Sequence, residues 1–158
     1  FLHSKQHGDF TRHNILKRGE SIAVIDWTDT SVKIITDDLF YFIINYYLQI
    51  RIKTGLNGLL DSFDNTFFVK NKYSNHVKKL RNNLLSKLGL DYSESKKYLI
   101  LFLINRCIEE AIVIEKKDHL TNFSINLLSE IKSKNKFDSI IWYHFLKFLI
   151  KKENDQSK

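Results

Sequence analysis

The chain has 158 residues, of which 43% are hydrophobic and 27% charged. That balance suits one folded globular domain and excludes a disordered chain. A globule of this length buries about 68–70% of its unfolded surface and needs no staples. The single cysteine, Cys107, excludes an internal disulfide and leads to the expectation of a reducing, cytoplasmic compartment. The formal charge of +7, from 25 Lys+Arg against 18 Asp+Glu, permits a nucleic acid, an anionic membrane surface or a phosphorylated ligand as partner. The lysines are spread rather than blocked, however, so a solvated surface is the better reading and nucleic acid is disfavoured. Proline and methionine are absent and the chain opens at Phe1, from which a trimmed fragment or isolated domain is expected.

Residues 1–35 hold histidines, short β-type runs and turn residues. In them, Asn14–Lys17 and Ser21–Asp26 flank Arg18-Gly19-Glu20, the spacing of a β-hairpin with glycine in its turn. Ile22 and Val24 would face one side and Ala23 and Ile25 the other, which predicts a hairpin covered on both faces.

Residues 36–152 have helical periodicity almost throughout. Thr36 or Asp37 can cap a helix running to about Lys53, ended by Gly55. Gly55, Gly58, Asp61 and Asp64 mark residues 55–66 as an irregular connection. A helix over 72–88 places Tyr73, Val77, Leu80, Leu84 and Leu88 on one stripe, with Gly89 as its stop. Ser93 can cap a helix over 94–116. This helix carries the most apolar run, Tyr98 to Ile104, and pairs Arg106 with Glu109 or Glu110. The run is far short of the roughly 20 residues of a membrane span. A further helix is predicted over 121–134. The last, over 139–152 with Asp138 or Ser139 as cap, turns Ile141, Phe145, Phe148 and Leu149 inward. A polar tail occupies 153–158. The expected fold class is mainly α with a small β-hairpin (α+β).

The chemistry concentrates in His7-Gly8-Asp9-Phe10-Thr11-Arg12-His13-Asn14-Ile15-Leu16 and in Val24-Ile25-Asp26-Trp27. The order is His-x-Asp, four residues, Asn, a hairpin, then Asp. Phosphoryl transfer needs a carboxylate to orient an attacking hydroxyl and oxygen ligands to hold magnesium. Mg²⁺ takes hard oxygen ligands and keeps several waters. The amide oxygen of Asn14 and the carboxylate of Asp26 would suffice beside nucleotide phosphates.

HGDFTRHNIL and AVIDW, followed by Asp37-Asp38-Leu39-Phe40-Tyr41-Phe42, resemble the protein-kinase-like superfamily, specifically the aminoglycoside phosphotransferase and choline kinase family. The likeness is specific over residues 7–42 and general beyond. It implies a C-terminal kinase-like lobe over residues 1–152, with catalytic loop and hairpin at 1–35 and a helical subdomain at 36–152. By the resemblance Asp9 is the catalytic base, and Asn14 and Asp26 bind Mg²⁺ and through it ATP. His7 braces the loop, and Asp38 accepts hydrogen bonds from the loop backbone. Arg12 and His13 stand where the family often has proline and glycine. The N-terminal lobe with its phosphate-covering loop and nucleotide lysine is not in this chain, so the isolated chain is expected to be inactive. The implied partners are a nucleotide and a small-molecule hydroxyl acceptor: a sugar, an amino alcohol, a glycan intermediate or an aminoglycoside. The charge of +7 favours a neutral or anionic acceptor over a polycation. The alternative is a catalytically silent kinase-like binding module.

Other groupings weigh less. His3, His7 and His13 with Asp9 are a weak zinc pattern. Cys107, in the most apolar helix, reads as core rather than nucleophile. Trp27, Tyr41, Tyr46 and Tyr47 suit a cationic ligand, but read first as core. Lys70, Lys72, Lys78, Lys79 and Arg81 read as a solvated basic face.

Overall fold

A computed structural model describes residues 2–48, 55–116 and 140–156. In chain order the elements are β1 (His3–Gln6), β2 (Ile15–Arg18), β3 (Ser21–Val24), β4 (Ser31–Ile34), α1 (Asp37–Leu48), α2 (Gly55–Phe67), α3 (Lys72–Lys87), α4 (Ser95–Lys116) and α5 (Ile141–Gln156). The protein is mainly α with a small β component. The expected helix over 121–134, the end of the first helix near Lys53 and the caps at Asp138 and Ser139 lie outside the described residues. The chain divides into two compact units: Phe1–Ile50 with Asn65–Ser95, and Arg51–Asp64 with Lys96–Lys158.

The first unit contains all four strands, in two antiparallel pairs. The hairpin β2–β3 pairs Ile15 with Val24 and Arg18 with Ser21. Gly19, at φ 59°, supplies the positive φ that a two-residue hairpin turn demands. Its apolar side chains are not covered on both faces as predicted: Leu16, Ile22 and Ile25 are exposed. Alternation signals a strand, but a two-stranded ribbon has no further strand to shield it. The second pair, β1 with β4, runs from His3–Ile34 to Gln6–Ser31 and carries no comparable apolar pattern. β4 leads directly into α1, which buries Phe40, Ile43 and Ile44 and places Asp37 and Asp38 in its first turn, where the helix dipole favours negative charge.

Helix α3 begins in a reciprocal capping box. The Asn71 side chain accepts from the Tyr73 and Ser74 amides, and the Ser74 hydroxyl accepts from the Asn71 amide. It ends at Gly89 (φ 66°), with the Leu90 amide donating to the Leu85 carbonyl at 2.9 Å. Its buried face is Val77, Arg81 and Leu85. The predicted stripe is rotated from this face: Tyr73 is exposed, and Leu80, Leu84 and Leu88 are half-buried. Arg81 enters the core because its guanidinium lies over the Phe67 and Tyr92 rings, 5.7 and 5.8 Å from their centroids.

Residues 55–66 form most of helix α2, which corrects the expected irregular connection. Gly55 opens the helix at φ 66°, where glycine is favoured, and Gly58 within it costs about 1 kcal/mol relative to alanine. Burial of Leu59, Phe63 and Phe67 at about 1.5–3 kcal/mol apiece outweighs that cost. The second unit has an aromatic and aliphatic core. Phe63 stacks on Phe145 at 4.5 Å between ring centroids, and Phe102 meets Trp142 edge-on at 5.6 Å. Helix α4 buries Tyr98, Leu99, Phe102, Leu103 and Cys107. A 3-10 turn at Tyr92–Glu94 precedes it, capped by Asp91, whose side chain accepts from the Ser93 amide; Ser93 is thus the receiver rather than the cap. Arg106 pairs with Glu109 at 3.1 Å. In α5, Ile141, Phe145 and Leu149 are buried as predicted, joined by Trp142, while Phe148 is half-buried. Ion pairs Asp64–Lys152 and Lys96–Glu153 flank this core. Among the described residues, no helix is long and apolar enough to cross a membrane.

Candidate functional site

The loop between β1 and β2 is held by three sets of hydrogen bonds. At its start, the carboxylate of Asp38, in the first turn of α1, accepts from two successive backbone amides: His7 to Oδ2 at 2.6 Å and Gly8 to Oδ1 at 3.0 Å. The Asp38 amide in turn donates to Oε1 of buried Gln6 at 3.2 Å. Strand and helix are therefore joined by side chains that complete each other's backbone groups, which a buried loop requires.

His7 holds the loop to the hairpin. It is fully buried and its Nε2 donates to the Ile25 carbonyl at 2.8 Å. Its ring packs between Trp27, at 4.8 Å, and Phe10, at 5.9 Å. Gly8 adopts φ 88°, and a Cβ there would lie 2.3 Å from the Asp29 carbonyl oxygen. Only glycine allows the loop this close to the segment that follows Asp26.

The third set lies within the loop. Asn14 is buried at the end of the 3-10 turn Arg12–Asn14. Its Nδ2 donates to the Asp9 carbonyl at 2.9 Å and to the Asp9 carboxylate Oδ2 at 3.0 Å. Both partners are acceptors, so the nitrogen must face Asp9 and the amide oxygen must face away. The Asn14 carbonyl accepts from the Ile25 amide at 2.9 Å, one step beyond the Ile15–Val24 pair of the hairpin. Asp26 is the next residue. It is exposed, its Oδ1 accepts from the Thr28 hydroxyl at 2.7 Å, and its φ is +59°. Among the described residues it is the one non-glycine with positive φ. Such a conformation is uncommon for a non-glycine residue, and aspartate is among those that tolerate it best. It turns the chain sharply at the end of β3, and the turn is held by Trp27 Nε1 donating to the Val24 carbonyl at 2.9 Å.

The loop thus links the predicted residues. Asp9 and Asn14 are in direct contact, His7 and Asp38 are joined through the His7 amide, and Asp26 adjoins Ile25, whose amide and carbonyl bond to Asn14 and His7. Gln6 is an additional member that the sequence did not single out, and Gly8 and Trp27, quoted within the two motifs, gain structural roles that the sequence did not assign them. Gly8 carried a signal, a glycine between two polar residues after a strand; Gln6 carried none, since its partner lies 32 positions away. Oxygen donors from Asn14 and Asp26 are the hard ligands that Mg²⁺ accepts. The zinc pattern has no support: the Nε2 of His7 is spent on Ile25, and His3 and His13 are exposed. Among the described residues, no group of three or more His, Cys, Asp or Glu is placed to hold a metal. Cys107 is buried, and burial, aided by the nearby Glu110 charge, pushes its thiol up to about 12, which disfavours the thiolate.

The chain matches no family model, no curated protein and no solved structure.

Proposed function

We propose that this chain is the C-terminal catalytic lobe of an ATP-dependent small-molecule phosphotransferase with a hydroxyl acceptor. The observation that carries the reading is the Asp9–Asn14 pair, a half-buried carboxylate held by a buried amide whose oxygen faces away. One loop then offers two separate functions, a proton acceptor on one side and an oxygen ligand on the other.

In this reading Asp9 accepts a hydrogen bond from the acceptor hydroxyl, orients it for in-line attack and takes its proton as the new oxygen–phosphorus bond forms and the bond from the γ-phosphorus to the bridging oxygen breaks, releasing ADP. The Asn14 amide fixes the carboxylate's rotamer, so positioning is complete before substrate arrives. His7, Gly8 and Asp38 keep the loop backbone from moving under that load. Asn14 and Asp26 would hold Mg²⁺, which when bound neutralises charge on the nucleotide phosphates. The acceptor is a sugar, an amino alcohol, a glycan intermediate or an aminoglycoside, and the net charge of +7 favours the neutral or anionic members of that set.

The test is calorimetric titration of Mg-ATP into the full-length protein that contains this chain. Asn14→Ala and Asp26→Ala should each weaken binding and abolish most turnover. Unchanged affinity in both variants removes the metal role and leaves a silent binding module as the better reading.

A further inference from the structure

On the other side of the Asp38 clasp lies a cavity of about 640 Å³, bounded by β1, the start of α1 and the C-terminal half of α3. Its volume is within the range of about 300–1,000 Å³ common for small-molecule sites. Phe10, Ile35, Leu39, Leu80, Leu84 and Leu88 line it, and all six are half-buried. Leu80, Leu84 and Leu88 of the stripe expected on α3 therefore face this space.

The polar groups on the lining divide sharply. Both oxygens of Asp38 are taken by the His7 and Gly8 amides. The Gln6 side chain donates to the Ser4 hydroxyl at 2.6 Å and accepts from the Asp38 amide. What remains to meet a ligand is Lys87 and Asn83, both exposed on the rim. They lie four residues apart and so share one face of α3. At the helix end the Leu84, Leu85 and Ser86 carbonyls accept from the Leu88, Gly89 and Leu90 amides.

We infer that this cavity binds an amphiphilic carboxylate: an apolar chain buried against the leucines, with its anionic head at Lys87 and Asn83. An apolar body is required because six apolar side chains line the space. An anionic head is favoured because both oxygens of the one carboxylate on the lining already accept from backbone amides, while the one cation, Lys87, stands at the rim. A ligand with a cationic head would meet Lys87 as a like charge. The site is independent of the phosphotransferase reading. It is nevertheless coupled to the loop, because Asp38 lines the cavity and holds the His7 and Gly8 amides.

The probe is decanoate, kept below its micelle concentration, titrated into the 158-residue chain by calorimetry and thermal shift, with decanol and decyltrimethylammonium as head-group controls. Decanoate should bind saturably, raise Tm and slow hydrogen exchange at the His7 and Gly8 amides. Lys87→Met, an exposed change that leaves the fold intact, should weaken decanoate about threefold to fivefold, the strength of a partly exposed charge pair, and leave decanol unaffected. Leu84→Trp, checked for helical content by circular dichroism, should fill the cavity and abolish binding. Absence of decanoate binding overturns the inference. So does equal affinity for decanol in the unaltered chain, or decanoate affinity unchanged in Lys87→Met, a variant whose folding is not in question.

Discussion

The two compact units are stabilised by different chemistry. Among the described residues eleven polar or charged side chains are buried, and nine of them are in the first unit; Ser62 and Arg106 are the two in the second. Around the loop of the first unit, buried His7 bonds a backbone carbonyl, buried Asn14 a backbone carbonyl and the Asp9 carboxylate, and half-buried Asp38 accepts from two backbone amides. In the second, stacked rings and aliphatic side chains fill the interior. Hydrogen bonds are directional and costly to leave unmade, so they define one loop geometry. Apolar burial is non-directional and scales with area, so it stabilises without fixing individual atoms. A site that must hold a carboxylate in place belongs in the first kind of environment.

The largest expected effect is on rate and is confined to the polar unit. Asp9→Asn, measured on the full-length protein, should cut kcat by about 10²–10⁴, the contribution of a general base, with Tm and nucleotide affinity nearly unchanged. Full activity in this variant would remove Asp9 from the chemistry. In the apolar unit the corresponding effect is on stability. Phe63 is fully buried and stacked on Phe145, so Phe63→Ala should cost about 3–5 kcal/mol in denaturant unfolding. A loss under 1 kcal/mol would mean that the stacked core is not what holds this unit.

Smaller effects sharpen the contrast. Asp38→Ala leaves the His7 and Gly8 amides without their acceptor and should cost about 1–3 kcal/mol. His7→Ala, which removes the bond to Ile25, should fall in the same range. Hydrogen exchange should show the loss first in residues 7–14, with α4 and α5 still protected; uniform loss would erase the distinction between the units.

The smallest effect concerns Cys107. Its thiol, raised to about 12 by burial, stands above the ordinary value of about 8.5. The folded form therefore holds the proton more tightly than the unfolded form. The associated stability is complete below about pH 8.5 and is lost as pH rises from there toward 12. Maleimide labelling at pH 8 should be slow in the folded chain and rapid in denaturant; fast labelling of the folded chain would place Cys107 outside the core.

Local features were legible in the sequence. The β2–β3 hairpin follows from a glycine turn between two apolar runs. The helix over 72–88 with Gly89 as its stop corresponds to α3, and the burial of Ile141, Phe145 and Leu149 follows from helical spacing. The direct bond between Asp9 and Asn14 was not among them, since a five-residue step along a loop can equally hold the two side chains apart. Other features were not legible, each for a physical reason. Gly55 and Gly58 mark a break by propensity, yet helix α2 forms because Leu59, Phe63 and Phe67 are buried. Tyr73 has helical spacing with Val77, but the packing face passes through Arg81, which no hydrophobic pattern selects.

By itself, the sequence determined the β2–β3 hairpin, the span of α3 and the mainly helical class, because turns and periodicity act over a few residues. Tertiary structure decided which elements meet. The pairing of His3 with Ile34, the bond from Gln6 to the Asp38 amide and the cavity beside α3 join residues tens of positions apart. Their formation depends on closing long stretches of chain and on competing ways to bury the same side chains, and neither is encoded in any short run of residues.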